Sequence, residues 1–445
     1  MNRYRERLRW LYENGMAHIF GSSFLNKVFH FAGNACIARI LTKTEYGTFG
    51  FADSIMAFVL TVSGLGMTSG LLQFCSERRG REEKKAYARF GFIVGALSNL
   101  VLIAGCLLYA AFGYFKNDAA RPILAIYSLY PMTYFFFDYY TVMLRTKKKN
   151  KDFALVTNLN AGLYALSGII ASFLIKEAGI VAGLYIATVT SALVGRRKFR
   201  KDDKTKGIYR LSGGEKKGLI RFSVYSSTGR VMTNLLIFVD VFLIGIILPD
   251  PADLASYRIA TTIPLALMFV PDSIIMFVYP YIAENRTDYG WLKDKMKTLF
   301  GASAGVNAFI TAGLVIFAPL IVHTIWGQKY DSAVYIFRIL SINYFVTATI
   351  RYNLINVLTA LGRVKTILMV NLIAGSVNIA LDIIMIKWLG AEGAAWATLA
   401  VVIFTSAILI PVFIRVMLRI RAESANTVKE TVRRPDRRAS CRERV

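Results

Sequence analysis

Arg196-Arg-Lys-Phe-Arg-Lys201 opens a polar break over 195–217 that divides two long series of apolar runs. Reading outward from it, the breaks between runs alternate in charge. Those loaded with cations are Arg3-Tyr-Arg-Glu-Arg, Arg78-Arg-Gly-Arg-Glu-Glu-Lys-Lys, Arg145-Thr-Lys-Lys-Lys, the 286–297 stretch, Gly362-Arg-Val-Lys and the tail after Arg415. Between them lie short, charge-poor breaks near Thr44, Asn117, Glu177, Pro249, Gly327 and Gly390. A chain that threads a membrane and keeps its lysines and arginines on the inner side produces this alternation.

Composition supports that reading. The chain has 445 residues, is 55% hydrophobic and is only 18% charged. Its apolar runs are each near the ~20 residues that cross a ~30 Å hydrocarbon layer. A formal charge of +26 gathered into one patch would indicate a nucleic-acid partner. Here the charge is dispersed among apolar spans, so it orients the chain and meets anionic membrane lipids, and no nucleic-acid partner is expected.

About twelve helices are predicted, at 17–40, 49–74, 88–115, 122–144, 153–175, 178–194, 220–248, 259–282, 299–325, 333–361, 367–388 and 393–420. The runs are continuous rather than alternating, which favours helices over a membrane barrel. The fold class is therefore all-α, a polytopic membrane protein with two six-helix lobes at 1–205 and 206–420 and a basic tail at 421–445. An even number of spans with basic ends places both termini in the cytoplasm. Trp326 and Trp388 are expected at the outer interface and Trp291 at the inner one. The glycines of Ser212-Gly-Gly read as a flexible linker, since the phosphate-loop pattern is missing.

A short repeat supports the two halves. Ser22-Ser-Phe-Leu-Asn-Lys27 opens the first and Ser226-Ser-Thr-Gly-Arg230 the second; Glu45-Tyr-Gly and Ala255-Ser-Tyr-Arg follow at matching places. Parallel repeats with a substrate site between them are a common transporter plan.

Charges within the spans are costly, about 2.5–3.5 kcal/mol each on insertion scales, and so mark candidate sites. Lys27, His30 and Asn34 are spaced to share a helical face, as are Arg230 and Asn234. Two such basic faces would suit an anionic substrate such as a phosphate or diphosphate. The competing reading lets Lys27 and Arg230 snorkel to headgroups. Arg258 and Arg338 read as interfacial, whereas Arg351, with Asn343 and Asn353 on its helix, reads as a cavity or ion-pair residue. Asp240, Asp53 and Asp382 are candidates for cation coupling, with Asp138 and Asp272 in the same acidic set; structural pairing with buried arginines is the competing role for each. Pro264, Pro271 and Pro280 interrupt the eighth span, and Gly64 and Gly66 loosen the second.

Cys36, Cys75 and Cys106 read as small buried hydrophobes, and His18, His30 and His323 are too scattered for a metal site. No nucleophile–base pair, zinc-protease or nucleotide-binding motif is found, so neither an enzyme nor a cofactor is expected.

Several stretches together resemble the polysaccharide (O-antigen) flippase family of the multidrug/oligosaccharidyl-lipid/polysaccharide exporter superfamily. They are Ala38-Arg-Ile-Leu-Thr-Lys-Thr-Glu-Tyr-Gly-Thr-Phe-Gly with Gly64-Leu-Gly, then Trp326-Gly-Gln-Lys-Tyr, then Leu358-Thr-Ala-Leu-Gly-Arg-Val-Lys. The last continues through Asn371 and Asn378 to Leu389-Gly-Ala-Glu-Gly-Ala-Ala-Trp-Ala-Thr. The resemblance implies two lobes in a V that open alternately to each side of the bacterial inner membrane. It implies a substrate of undecaprenyl-diphosphate-linked oligosaccharide, cation coupling, and glycosyltransferases or a polysaccharide polymerase as partners. A multidrug or small-solute exporter of the same superfamily is the alternative. The closing Arg438-Ala-Ser-Cys-Arg-Glu-Arg-Val resembles a translated sequencing-library adapter, which predicts an altered natural terminus near Arg433.

Overall fold

The computed structural model describes residues 16–77, 79–200 and 209–433, so the octapeptide at 438–445 lies outside the described residues. Among them all regular structure is helical and no strand is present. The first helices are α1 (Met16–Ile40), α2 (Lys43–Thr61), α3 (Met67–Ser76), α4 (Arg81–Phe112), α5 (Ala120–Tyr127) and α6 (Tyr130–Thr146). They are followed by α7 (Asn150–Arg200), α8 (Gly213–Ile247), α9 (Pro251–Leu267), α10 (Phe269–Glu284) and α11 (Tyr289–Ile316). The last are α12 (Ala318–Trp326), α13 (Ala333–Val346), α14 (Tyr352–Ala360), α15 (Val364–Leu389) and α16 (Ala391–Arg433). Among the described residues, eight helical stretches are long and apolar enough to cross a membrane.

Lipid explains the surface better than water does. Val101 is 71% exposed, Leu174 78%, Phe309 84% and Phe112 85%. In water each such side chain would forgo about 1.5–3 kcal/mol of burial, whereas hydrocarbon removes that penalty.

The breaks in the helices have local causes. Straight, the 51 residues of α7 would extend ~76 Å, far beyond one bilayer crossing. The helix breaks at Ile175 and Lys176 (φ −132° and +53°), and Ser167 Oγ then donates to the Gly183 carbonyl at 3.3 Å. The chain has therefore reversed, giving the two spans expected at 153–175 and 178–194. Between α2 and α3, Gly64 and Gly66 adopt φ of +60° and +66°. At Gly66 a Cβ would also fall 1.9 Å from Ser227 Oγ on α8, so only glycine serves there.

By contacts the chain forms two compact units, Met1–Ile259 with Val322–Ser332, and Ala260–Ile321 with Ala333–Val445. In the first, α1 packs along α7, α6 along α7, and α8 against α2 and α3. Its core includes Met67, Leu71, Tyr87, Tyr139 and Leu219. In the second, α15 pairs with α16 and α13 lies against α11 and α16, while Leu292, Leu354, Val357 and Leu409 from α11, α14 and α16 share a core. These contact units are drawn differently from the sequence lobes at 1–205 and 206–420, because α8 packs with the helices that precede it.

Three local expectations are corrected. Trp326 is only 1% exposed and meets Phe31 edge-on at 6.3 Å, so it is a packing residue rather than an interfacial anchor; Trp388, at 82% exposed, keeps its surface position. Ser212-Gly-Gly is not flexible linker. Ser212 caps α8, accepting from the Glu215 amide at 3.3 Å while Glu215 accepts from the Ser212 amide at 2.7 Å, and both glycines lie in the first helical turn. Cys36 is exposed, unlike the buried Cys75 and Cys106.

Candidate functional site

The candidate residues separate into three clusters, the first built on α2. Gly47 and Gly50 leave one face of this helix bare, and the start of α9 fills the space. A Cβ on Gly47 would lie 1.8 Å from the Pro251 carbonyl oxygen, and one on Gly50 would lie 2.7 Å from Arg258 Cδ. Arg258 then reaches Asp53 at 2.9 Å, donates to the Gly50 carbonyl at 2.9 Å and lies 5.6 Å from both the Tyr46 and Phe49 rings. Tyr127 donates to the other Asp53 oxygen at 3.1 Å. Arg258 is therefore a half-buried ion-pair residue, not the interfacial one its place near a helix start suggested. Asp53, a coupling candidate, is its partner.

A later motif of the first unit docks on the end of α1, just before this cluster. Lys329 donates to the carbonyls of Arg39 (2.9 Å) and Leu41, and Tyr330 donates to that of Ala38 at 3.1 Å. The Trp326-Gly-Gln-Lys-Tyr stretch thus caps the C-terminal end of α1. Desolvation in this contact lowers the Lys329 pKa. Glu45, at the start of α2, pairs with Lys176 at the α7 reversal at 2.9 Å.

The second cluster lies on α1. His30 sits 5.2 Å from the Tyr164 ring, and Asn34 accepts from the Tyr164 hydroxyl at 2.6 Å; one turn earlier, Asn26 donates to Asn158 at 2.9 Å. His30 and Asn34 therefore face α7, while Lys27 is exposed. Arg230 and Asn234 lie on α8, but their side chains fall outside those described.

The third group collects the remaining acids and cations, of which Asp240 and Asp382 are buried. Asp240 is 6% exposed and accepts from Tyr257 at 2.7 Å; Asp382 is fully buried and accepts from Asn378, one turn away, at 2.6 Å. Asp272 accepts from Tyr352, and exposed Arg338 donates to the Val315 carbonyl at 3.2 Å. Arg351 closes a π-turn, Thr347–Arg351, between α13 and α14. One side of this segment is tied to α11: Tyr344 donates to Asn307 (2.9 Å), Asn307 to Thr349 (3.3 Å) and Asn353 to Ser303 (3.1 Å). Another side differs. Asn343 Oδ1, Thr347 Oγ1 and Arg351 Nε, each four residues apart, are buried without a hydrogen-bond partner. A buried polar atom left so costs about 1–3 kcal/mol, and π-turns recur at functional positions. Sequence reading found Arg351 and Asn343 but missed Thr347, although its four-residue spacing from each was visible.

Among the described residues no group of three metal-ligating side chains occurs. The π-turn row offers one guanidinium, one hydroxyl and one amide oxygen.

Residues 36–335 match the family of polysaccharide biosynthesis proteins. No curated protein matches in sequence. Among solved structures, the fold is similar to the lipid II flippase MurJ in an inward closed conformation, with TM-score 0.71 and 18% identity over 94% of this chain and 93% of that one. It is also similar to a multidrug resistance MATE family transporter of the MOP superfamily in an inward-facing conformation, with TM-score 0.71 and 13% identity over 89% of this chain and 95% of that one. A MOP superfamily transporter from Pyrococcus furiosus Vc1 aligns with TM-score 0.57 and 12% identity over 92% and 95% of the two chains. The family match spans well over half of the chain and the helical architecture agrees with it: the chain belongs to the polysaccharide biosynthesis proteins and has the fold of MOP superfamily transporters and flippases.

Proposed function

We propose that this protein translocates an undecaprenyl-diphosphate-linked oligosaccharide, a polysaccharide precursor such as an O-antigen unit, across the bacterial inner membrane. It does so by alternating access with both termini in the cytoplasm. One observation carries the reading toward an anionic substrate. Arg351 has no carboxylate partner among the described residues, and its Nε lies in a row with two other unpartnered polar atoms, Asn343 Oδ1 and Thr347 Oγ1. A diphosphate can accept from the Arg351 guanidinium and the Thr347 hydroxyl, while Asn343 Oδ1 can accept from a sugar hydroxyl.

In this scheme Lys27 and Arg230 hold the diphosphate, with His30, Asn34, Asn234 and Arg351 assisting. Asp240 and Asp382 are the coupling carboxylates. Asp53 belongs to the same proposed set, although its bond to Arg258 suits a structural task better. Glycosyltransferases or a polysaccharide polymerase would supply and consume the substrate. The similarity to a multidrug MATE transporter keeps a second reading, export of small solutes, in play. An unpaired buried arginine favours anions over the cationic compounds such an exporter would carry.

The test is export of surface polysaccharide in cells whose own copy is replaced by variants. Lys27→Ala/Arg230→Ala and Arg351→Gln should abolish export while membrane protein levels stay unchanged. Undiminished export in the double variant removes the two cations from the substrate site. Efflux of a cationic dye, without polysaccharide export, would favour the second reading.

A further inference from the structure

A separate site lies within the first unit. A groove of about 480 Å³ runs between α4, α6 and the second half of α7, within the ~300–1,000 Å³ typical of small-molecule sites. Its wall is apolar and aromatic: Phe92 and Phe136 stack at 5.5 Å, opposite Val189 and Leu193, which are 42% and 53% exposed. One end is basic, closed by Arg196 and Arg200, one helical turn apart on α7.

The charges at that end are unevenly used. Within the same run, Lys198 pairs with Asp152 at 3.0 Å, and Lys149 approaches that carboxylate at 4.0 Å. Arg196 and Arg200 form no ion pair among the described residues, and both are exposed beside the groove. An apolar trough ending in two available guanidiniums matches a lipid with an anionic head and a hydrocarbon chain. By the charge alternation the arginines lie at the cytoplasmic headgroup level, where anionic lipids attract such residues.

We infer that this groove binds one anionic glycerophospholipid, its phosphate held by Arg196 and Arg200 and one acyl chain lying over Phe92, Phe136 and Leu193. A lipid-linked saccharide shares the head chemistry. Val189 and Leu193 are exposed at the groove, however, and in a bilayer mass action favours the abundant phospholipid. The inference rests on the membrane-spanning reading and on the orientation, not on the proposed substrate.

Native mass spectrometry of the full chain in detergent, titrated with phosphatidylglycerol or phosphatidylcholine, tests it. One phosphatidylglycerol should remain bound to the wild type, and Arg196→Gln/Arg200→Gln should weaken that binding about tenfold or more, the scale of a lost charge-assisted contact. Phosphatidylcholine binding should be the same in both. Leu193→Trp, which fills the trough and keeps both arginines, should also displace the lipid; unfolding temperatures in lipid-free detergent show that each variant is folded. Equal phosphatidylglycerol binding by the wild type and the double arginine variant overturns the site, and full retention by Leu193→Trp overturns the acyl-chain placement. Preference for undecaprenyl phosphate over phosphatidylglycerol overturns the assigned occupant. None of these measurements depends on polysaccharide export, so the site and the transport function can fail independently.

Discussion

Asp53 remains within a membrane span because Arg258 and Tyr127 supply donors to its two oxygens. The pair forms only where glycine at position 50 lets the Arg258 stem lie flat on α2. Side-chain exposures of 18% for Arg258 and 34% for Asp53 place it between an exposed pair and a sealed one. Removing one partner should therefore cost about 2 kcal/mol, between the ~0–1 of surface pairs and the ~3–5 of fully buried ones. Thermal unfolding in detergent should show Asp53→Asn and Arg258→Met each destabilised, and the double variant less destabilised than the sum of the two. Strict additivity would dissolve the pair. The interaction was half legible in the sequence. Both residues stood out as charges within or beside apolar runs, but one-dimensional spacing could not reveal that positions 205 apart meet.

The start of α8 shows how an element boundary depends on a few hydrogen bonds. Glu215 accepts from the Ser212 amide at 2.7 Å and from Tyr209 at 2.9 Å, and Ser212 Oγ accepts from the Glu215 amide. These bonds, that from the Ser212 amide foremost, hold the Glu215 pKa below its ordinary value of 4.5. A depressed carboxyl pKa stabilises the folded end above the unfolded value, and that contribution is lost as the pH falls below 4.5 toward the folded pKa. Amide exchange over 213–217, corrected for intrinsic rates, should lose protection in that acidic window for the wild type. Glu215→Gln should be less protected at neutral pH and much flatter with pH; an unchanged wild-type profile would refute the linkage. The Ser-x-x-Glu pattern is present in the sequence, but the glycines between its ends favour a linker reading. Span lengths were readable throughout, since hydropathy alone sets them. The reversal at Lys176 was readable too, as a short, charge-poor break between two runs. The π-turn before Tyr352 was not, because one extra residue in a helical turn leaves no mark on an apolar pattern.

At the scale of the whole chain, the segment Val322–Ser332 packs with the first unit although the helices on either side of it, α11 and α13, are grouped with the second. Its anchors are Tyr330 and Lys329 on the end of α1, and Ser332, which receives a 2.8 Å bond from Lys43 and lies 3.0 Å, oxygen to oxygen, from Ser256. If transport works by alternating access, as proposed, loosening of this attachment in one part of the cycle is the expected release step, because the segment is joined at both ends to helices grouped with the second unit. The Ser256–Ser332 contact provides a way to hold it. Hydroxyls 3.0 Å apart set the two Cβ atoms near the ~3.5–4.5 Å that a disulfide spans. Ser256→Cys/Ser332→Cys should form that bond on mild oxidation, stop polysaccharide export, and regain export when a membrane-permeant reductant is added. Each single variant should export normally under both conditions, which separates the crosslink from oxidation of exposed Cys36. Full export from the crosslinked protein, with bond formation confirmed by mass spectrometry, would mean that this segment stays fixed while substrate crosses, and the moving parts would then have to lie elsewhere.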